Sequence, residues 1–190
     1  MSKLKTDTVS SRTAGSGTLV LGTSGETISI PSGVTIANSG TATGFAQPNT
    51  PAFMATKSGG SQTISSGAYT LMQFNNEIID TDSAYDTSAY TFTVPSGKNG
   101  TYLIGGQIAK DTAGSTDRLI LKITKTTSGS ETSFLFGEAY SKDYAKANSS
   151  KICTLAVGDI LKCYAYQNTG GNINVEQGQE NSFFFAIKLG

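Results

Sequence analysis

The chain contains no histidine, no tryptophan and only two cysteines among its 190 residues. Without histidine, neither a Ser-His-Asp nor a Cys-His catalytic site can be built. Cys153 and Cys163 are ten residues apart, which does not match the usual zinc-binding patterns. No phosphate-binding glycine loop is present either. We therefore predict no cofactor and no enzymatic activity, and we expect both cysteines to be reduced and buried, with a disulfide as the alternative.

Charged residues are also scarce, at 15% of the chain, and 14 basic residues balance 14 acidic ones. A chain without net charge has no field that would attract nucleic acid or an anionic membrane. No apolar run approaches the roughly 18 residues that span a bilayer, and no apolar segment typical of a secretion signal follows Met1. We predict no nucleic-acid partner and no membrane association, and we expect synthesis in a cytoplasm.

Glycine is abundant, with 22 residues, and part of it forms a loose repeat. Gly17, Gly25, Gly33 and Gly40 recur every seven or eight residues, each near a short two-residue alternation such as Ile28/Ile30. Strands this short cannot bury enough surface alone, whereas three copies wound around one axis could. The sequence predicts a flexible N-terminal docking segment at residues 1–14 and a repetitive trimeric β shaft at residues 15–46, with Ile28 and Ile30 in the core of the shaft. A proline-containing hinge follows at residues 47–51, and the head occupies residues 52–190. An extended strand or a disordered linker is the alternative to the shaft.

The head sequence is a series of short strand patterns separated by Gly-, Ser-, Asp- and Asn-rich loops. Alternation of apolar and polar residues predicts strands, and about eight to ten of them at roughly 10-residue spacing indicate a sandwich or jelly roll. The predicted fold class is therefore all-β. The predicted strands are Phe53–Thr56, Tyr69–Phe74, Ala89–Val94, Thr101–Ile104, Leu119–Thr124, Ser133–Phe136, Lys151–Leu155, Ile160–Tyr166 and Ser182–Leu189.

Four stretches of the head resemble, in order, the complement globular-head and tumour-necrosis-factor-like jelly roll, in the form found in bacteriophage virion proteins. They begin with Phe74-Asn75 leading to Tyr85-Asp86 and Tyr90-Thr91-Phe92, and continue with Gly100 to Ile104, Leu155 to Tyr166 and the aromatic strand Ser182 to Leu189. The sequence of residues 25–33 is also similar to segments of marine phage structural proteins. The resemblance implies a homotrimer, and we expect Phe183 and Phe185 to contribute to its core.

An acidic loop and a tyrosine group are the candidate sites for other chemistry. Asp80, Asp82 and Asp86 could serve as the acid and base of a glycosidase or as part of a low-affinity calcium site, which needs six or more oxygen ligands; a solvated loop is the simpler interpretation. Tyrosine combines apolar area with a polar tip and suits recognition of carbohydrate or protein. The tyrosines concerned are Tyr140, Tyr144, Tyr164 and Tyr166, and capping of the core is their alternative role.

We expect any receptor site on the long polar loops at the tip of the head, formed by Tyr144, Asn172, Asn174 and Glu176, because binding usually resides on loops of a rigid scaffold. The predicted function is a structural component of a phage virion, a trimeric tail or head fibre whose head binds a host surface glycan or protein and whose N-terminal segment docks on other virion proteins. The alternatives are a capsid decoration or tail-assembly protein without receptor role and, more remotely, a glycan depolymerase.

Overall fold

The computed structural model of the protein describes residues 49–110, 118–141 and 144–189, together with Ser32. All the described strands lie in the second of the two units into which the chain divides, Gly44–Gly190. The docking segment and almost all of the predicted shaft, including Ile28 and Ile30, fall outside the described residues, so their structure and the position of the hinge stay predictions. The part of the chain that is described has no helix long and apolar enough to cross a membrane.

The described residues form two antiparallel sheets and no helix, which confirms the all-β prediction for the head. Sheet 1 has seven strands in the order β2-β12-β7-β13-β1-β4, with β10 on the other edge of β7. Sheet 2 has six, in the order β5-β6-β11-β8-β9, with β3 beside β11. The strands of sheet 1 are β1 (Ala52–Thr56), β2 (Gln62–Ile64), β4 (Asn76–Asp80), β7 (Gly100–Lys110), β10 (Ala145–Leu155), β12 (Ile173–Val175) and β13 (Phe183–Lys188). Those of sheet 2 are β3 (Thr70–Leu71), β5 (Tyr85–Asp86), β6 (Thr91–Thr93), β8 (Arg118–Thr127), β9 (Ser130–Tyr140) and β11 (Ile160–Gln167).

The core lies between the two sheets and is built from the alternating faces that the sequence indicates. In β11, Leu161, Cys163 and Ala165 are buried while the residues between them are partly exposed. The Phe53 ring stacks at the centre, with its centroid 4.6 Å from that of Phe92 in the opposite sheet and 5.0 Å from that of Phe184. One continuous aromatic and aliphatic core therefore joins the sheets and fixes which face of each strand points outward.

Several strands differ from the predicted ones. The predicted strand Tyr69–Phe74 is reduced to the two residues of β3. In contrast, β9 and β10 each extend over 11 residues, well beyond the predicted Ser133–Phe136 and Lys151–Leu155. The added half of β10 turns only Ala145 and Ala147 toward the core, so its apolar signal is weak. The sequence pattern does not predict the short strands β2, β4, β5 and β12, because such segments are ordered by pairing with neighbours rather than by their own pattern.

The strand registers place the loops at two opposite ends of the sandwich. At one end, the base, the amide of Lys188 donates to the carbonyl of Pro51 at 3.0 Å, so the chain enters and leaves the head side by side. At the other end, the tip, Ala145 pairs with Lys110 and Phe183 pairs with Gln107. The tip therefore carries the connections that precede β10 and β13.

Asp159 fixes the turn that connects β10 to β11 at the base. Its buried carboxylate accepts hydrogen bonds from the Thr127 hydroxyl at 2.6 Å and the Ala156 amide at 2.9 Å, and the Lys125 ammonium lies 3.5 Å away. Burial acts to raise the pKa of Asp159, but these hydrogen bonds and the lysine outweigh it and hold the pKa below its ordinary value. The ionised form is therefore the one that the folded state stabilises.

Replacing Asp159 by asparagine is expected to lower the free energy of unfolding by about 1–3 kcal/mol at neutral pH, since a charge-assisted bond is lost. Because the folded-state pKa is depressed, the contribution of Asp159 is present above the unfolded-state pKa near about 4 and is lost as pH falls through the folded value. Urea unfolding should show that the free energies of unfolding of parent and variant differ less at pH 3 than at pH 7. An equal difference at both pH values would contradict this assignment.

Candidate functional site

The outer face of sheet 1 carries a continuous band of apolar side chains, which we call the apolar stripe. The apolar stripe consists of two rows of side chains that run across the strands of sheet 1. Within each row, the strand registers make successive side chains direct neighbours. Ile79 and Ile152, at its two edges, are 49% and 65% exposed. An apolar face of this kind, which crosses five of the seven strands of sheet 1, is typical of a protein-protein interface. The stripe consists of Ile79, Met54 and Phe185 in one row and Ile187, Leu103 and Ile152 in the other.

The predicted trimer-core residues Phe183 and Phe185 lie on this outer face, while Phe184 between them is fully buried in the core. Their rings contact each other, with centroids 6.2 Å apart. Phe185 pairs with Gly105, and its ring lies only 2.9 Å from where a Cβ of Gly105 would stand. The missing side chain on β7 thus makes room for the ring, and both phenylalanines are placed where a second protomer could reach them.

At the tip, Tyr144 and Glu176 come together with Asn181. The Tyr144 hydroxyl donates to the Asn181 side-chain oxygen at 2.6 Å, and the Lys146 ammonium lies 5.5 Å from the ring centroid. Partial burial, followed by the charge and a hydrogen bond of Glu176, raises the pKa of Tyr144. An open cleft beside them is polar and is lined by Ser61, Glu176, Gln177, Glu180 and Asn181.

The two predicted asparagines of the tip have different environments. Asn174, in β12, accepts a hydrogen bond from the Thr63 hydroxyl at 2.9 Å and is partly buried. Asn172 is exposed in the loop before β12. Asn174 and Glu176 are two residues apart, whereas nothing links Asn172 to the Tyr144 cluster. The structure therefore brings Tyr144 and Glu176 into contact and leaves Asn172 apart from them.

The tyrosine group of the sequence divides between two surfaces. Tyr144 belongs to the tip, whereas Tyr164 and Tyr166 lie on the outer face of sheet 2. The Tyr164 hydroxyl donates to Glu131 at 3.1 Å, and burial together with that carboxylate raises its pKa to about 12. Tyr140 is 65% exposed and donates to Glu138. The four tyrosines therefore do not form one site.

Each carboxylate of the acidic loop is engaged in local structure. Asp80 accepts the amides of Ala84 and Tyr85, and Asp86 accepts the amides of Ser88 and Ala89. Asp82 forms an ion pair with Lys98 at 3.2 Å. Among the described residues, no three His, Cys, Asp or Glu side chains are grouped as a metal site would need. Calcium binding at this loop stays a prediction from the sequence.

Both cysteines are free thiols. Cys163 is buried as expected, and burial raises the pKa of its thiol. The expectation that Cys153 is buried is wrong: this residue is partly exposed, although it packs against the core. The reason is its position near the end of β10, an edge strand of sheet 1, where the opposite sheet covers it incompletely.

Several residues of these surfaces were not among the predicted sites. Met54, Ile79, Leu103, Ile152 and Ile187 of the apolar stripe come from five strands, and only the strand registers bring them together. One signal was available in β13, whose Phe-Phe-Phe-Ala-Ile run is apolar on both faces. A strand of that kind is usually covered on both sides. At the tip, the sequence does not indicate the hydrogen bond between Tyr144 and Asn181. That contact forms because Asn181 lies just before the start of β13, next to the loop that carries Tyr144.

No protein-family model matches the chain, and no curated protein sequence matches it. Solved structures match it through their fold. The globular domain of zebrafish complement 1qA protein has a TM-score of 0.53 at 16% identity and covers 74% of this chain and 98% of that one. Murine APRIL at pH 5.0 has a TM-score of 0.58 at 14% identity, over 73% and 98%, and Eiger TNF from S. frugiperda has 0.56 at 18%, over 73% and 92%. The head of this chain therefore has the jelly-roll fold of the TNF and complement globular-head structures.

Proposed function

We propose that this chain is a non-enzymatic, homotrimeric display protein, a fibre or spike of a bacteriophage particle whose head contacts the host surface. The observation that carries the proposal is the apolar stripe on sheet 1. A soluble protomer that left six apolar side chains of one sheet face in water would be prone to associate, and covering them with other protomers removes that surface from water.

Further observations support a binding role rather than catalysis. The sequence has no histidine, and none of the solved structures named above is described as an enzyme. Because β1 begins and β13 ends at the base, neither end of the described sandwich lies at the tip. Attachment of the N-terminal segment to other virion proteins, and the phage origin itself, rest on the resemblance of the sequence.

The purified protein is expected to have three times the 19.7 kDa mass of one chain in light scattering. Measurement over a range of concentrations in the micromolar region separates a stable trimer from weak association, since a closed symmetric interface gives one defined species. A single-chain mass at these concentrations would remove the trimer from the proposal.

Replacing Tyr144 by alanine is expected to reduce attachment of the protein to host cells while leaving the trimer and its melting temperature nearly unchanged. The ring is 45% exposed, and its hydroxyl makes a hydrogen bond within the tip, so the fold does not depend on it. Multivalent display multiplies a weak contact of each copy, so the loss should be most evident in cell binding by the whole assembly. Asn174→Ala should act in the same direction.

The matched control is Val157→Ala, which truncates a side chain that is 49% exposed in the turn at the base, away from the tip. Host-cell binding is measured by flow cytometry with labelled protein, beside the melting temperature of each variant. Attachment by Tyr144→Ala and Asn174→Ala equal to that of the parent would remove the tip as the binding site.

A further inference from the structure

The outer face of sheet 2 carries a second distinctive surface, which we call the aromatic patch and which consists of Tyr69, Lys122, Phe136, Tyr164 and Tyr166. The registers place Tyr164, Lys122 and Phe136 side by side on β11, β8 and β9. Tyr69 precedes β3 and stands beside Tyr166, with ring centroids 5.1 Å apart. Tyr69 and Phe136 are 41% and 47% exposed. All five side chains belong to one protomer, so the patch does not need a trimer to exist.

Lys122 is the charged centre of the patch. Its ammonium lies 3.7 Å from the ring centroid of Tyr69 and 4.9 Å from that of Tyr164. Contacts between a cation and aromatic rings hold the ammonium in place without neutralising it. Among the described residues, no carboxylate forms an ion pair with Lys122. A positive charge is thus held at the surface, among rings, with its charge available to a ligand.

The other cations of this face are already paired. Arg118 forms an ion pair with Glu138 at 2.5 Å, and Lys162 forms one with Glu131 at 3.0 Å. Each of these two pairs is neutral in itself, so among the described residues of this face Lys122 is the cation without an ion-pair partner. The exposed carboxylate of Asp86 also lies on this face, but on β5, three strands away from β8. Charge complementarity therefore favours an anionic ligand.

The composition of the patch differs from that of the apolar stripe on sheet 1. The stripe is mainly aliphatic, which suits burial against another protein surface. In the patch, three of the five side chains are tyrosines, and no described residue hydrogen-bonds the hydroxyls of Tyr69 and Tyr166. The exposed ring of Tyr69 and the half-buried ring of Tyr166 offer both an apolar surface and hydroxyl groups, and this combination suits the apolar C–H face and the hydroxyls of a pyranose.

We propose that the aromatic patch is a subsite for an acidic carbohydrate: Lys122 binds the carboxylate of a uronic acid, and the rings of Tyr69 and Tyr166 pack against the sugar ring. This deepens the proposed function, because it gives the host contact a ligand class. It adds a site that is separate from the tip, since no residue of the patch belongs to the Tyr144 cluster.

The test uses the full chain and a defined probe, the tetramer of α-1,4-linked galacturonic acid, titrated by NMR. The parent is expected to bind it, and the ring C–H protons of the sugar should receive saturation from the aromatic side chains. Lys122→Gln should weaken binding about tenfold, as expected for loss of one charge-assisted hydrogen bond, and Lys122→Arg should restore most of it. Tyr69→Ala should weaken binding by a similar factor without changing the melting temperature.

Lys98→Gln is the matched control, because it removes one positive charge from the loop between β6 and β7 and should leave the affinity within about twofold. The proposal would be overturned if the parent protein did not bind the galacturonic acid tetramer at millimolar concentration. It would also be overturned if Lys98→Gln and Lys122→Gln lost the same amount of affinity for this sugar. A loss caused by Tyr144→Ala alone would also overturn it and assign the sugar to the tip. Light scattering on the same samples tests the trimer independently of sugar binding. A parent protein that is monomeric but binds the galacturonic acid tetramer would contradict the proposed assembly and support the patch.

Discussion

Replacing Ile152 by aspartate is expected to convert the proposed trimer into single chains. Ile152 lies on the edge strand β10, at the end of the apolar stripe, and is 65% exposed in the isolated protomer. In the protomer, the substitution replaces one exposed side chain by another and should cost about 0.5 kcal/mol or less. In a trimer that covers the stripe, the same carboxylate would be buried without a partner, at a cost of about 3–5 kcal/mol for each protomer.

Light scattering and thermal unfolding together test this expectation. The variant should have a single-chain mass while keeping the β-sheet circular dichroism of a folded protein. Val157→Asp is the control, because Val157 is also an exposed apolar residue, 49% accessible, but lies in the turn at the base rather than on the stripe. A trimer that persists in Ile152→Asp would show that its interface does not use this end of sheet 1.

Replacing Gly137 by alanine is expected to destabilise the head by about 3 kcal/mol, at the upper end of what overpacking usually costs. Gly137, in β9, lies where sheet 2 crosses closely over β10 of sheet 1. A Cβ at this position would lie 2.5 Å from the carbonyl carbon of Asn148 and closer still to its oxygen, and 3.1 Å from the Cβ of Ser149. Because the nearest atoms belong to the backbone of β10, no side-chain rotation can relieve the clash, and one of the two strands must move.

Urea unfolding of the two glycine variants Gly137→Ala and Gly171→Ala measures the effect of the crossing. A Cβ at Gly171 has no atom within 4 Å, and this residue lies in an exposed loop. Its substitution should therefore change the free energy of unfolding by no more than about 0.5 kcal/mol. Similar stabilities for both variants would mean that β9 and β10 are not closely packed at this point.

The sequence predicted most accurately those strands whose period-two pattern extends over a whole element. Leu161, Cys163 and Ala165 alternate with polar or amphipathic residues, and the same residues are buried in the structure. The first half of β10 has the small and polar residues of a loop and carries no strand pattern, and its pairing with β7 is what orders it. Pattern alone carries no information about pairing between distant segments.

The candidate sites were predictable to a different degree. The closing strand is predicted to contribute to a trimer core because it resembles the aromatic closing strand of the jelly-roll family, and the structure places Phe183 and Phe185 on the outer face of sheet 1. The aromatic patch was only half recognised: Tyr164 and Tyr166 were noted, but Tyr69 and Lys122 come from other strands and join them through the register of sheet 2. A surface assembled from several strands depends on topology, which single-sequence patterns do not contain.

The position of both ends of the head at the base determines how it carries mechanical load. A pull between the chain entry at Pro51 and the tip is directed along β1, whose ladder hydrogen bonds to β13 and β4 are perpendicular to that direction. These bonds then share the force and must be sheared together. A pull between the entry and the exit at Lys188 would instead separate β1 from β13 one pair at a time. The fold therefore resists tension between its base and its tip far better than tension between its own two ends.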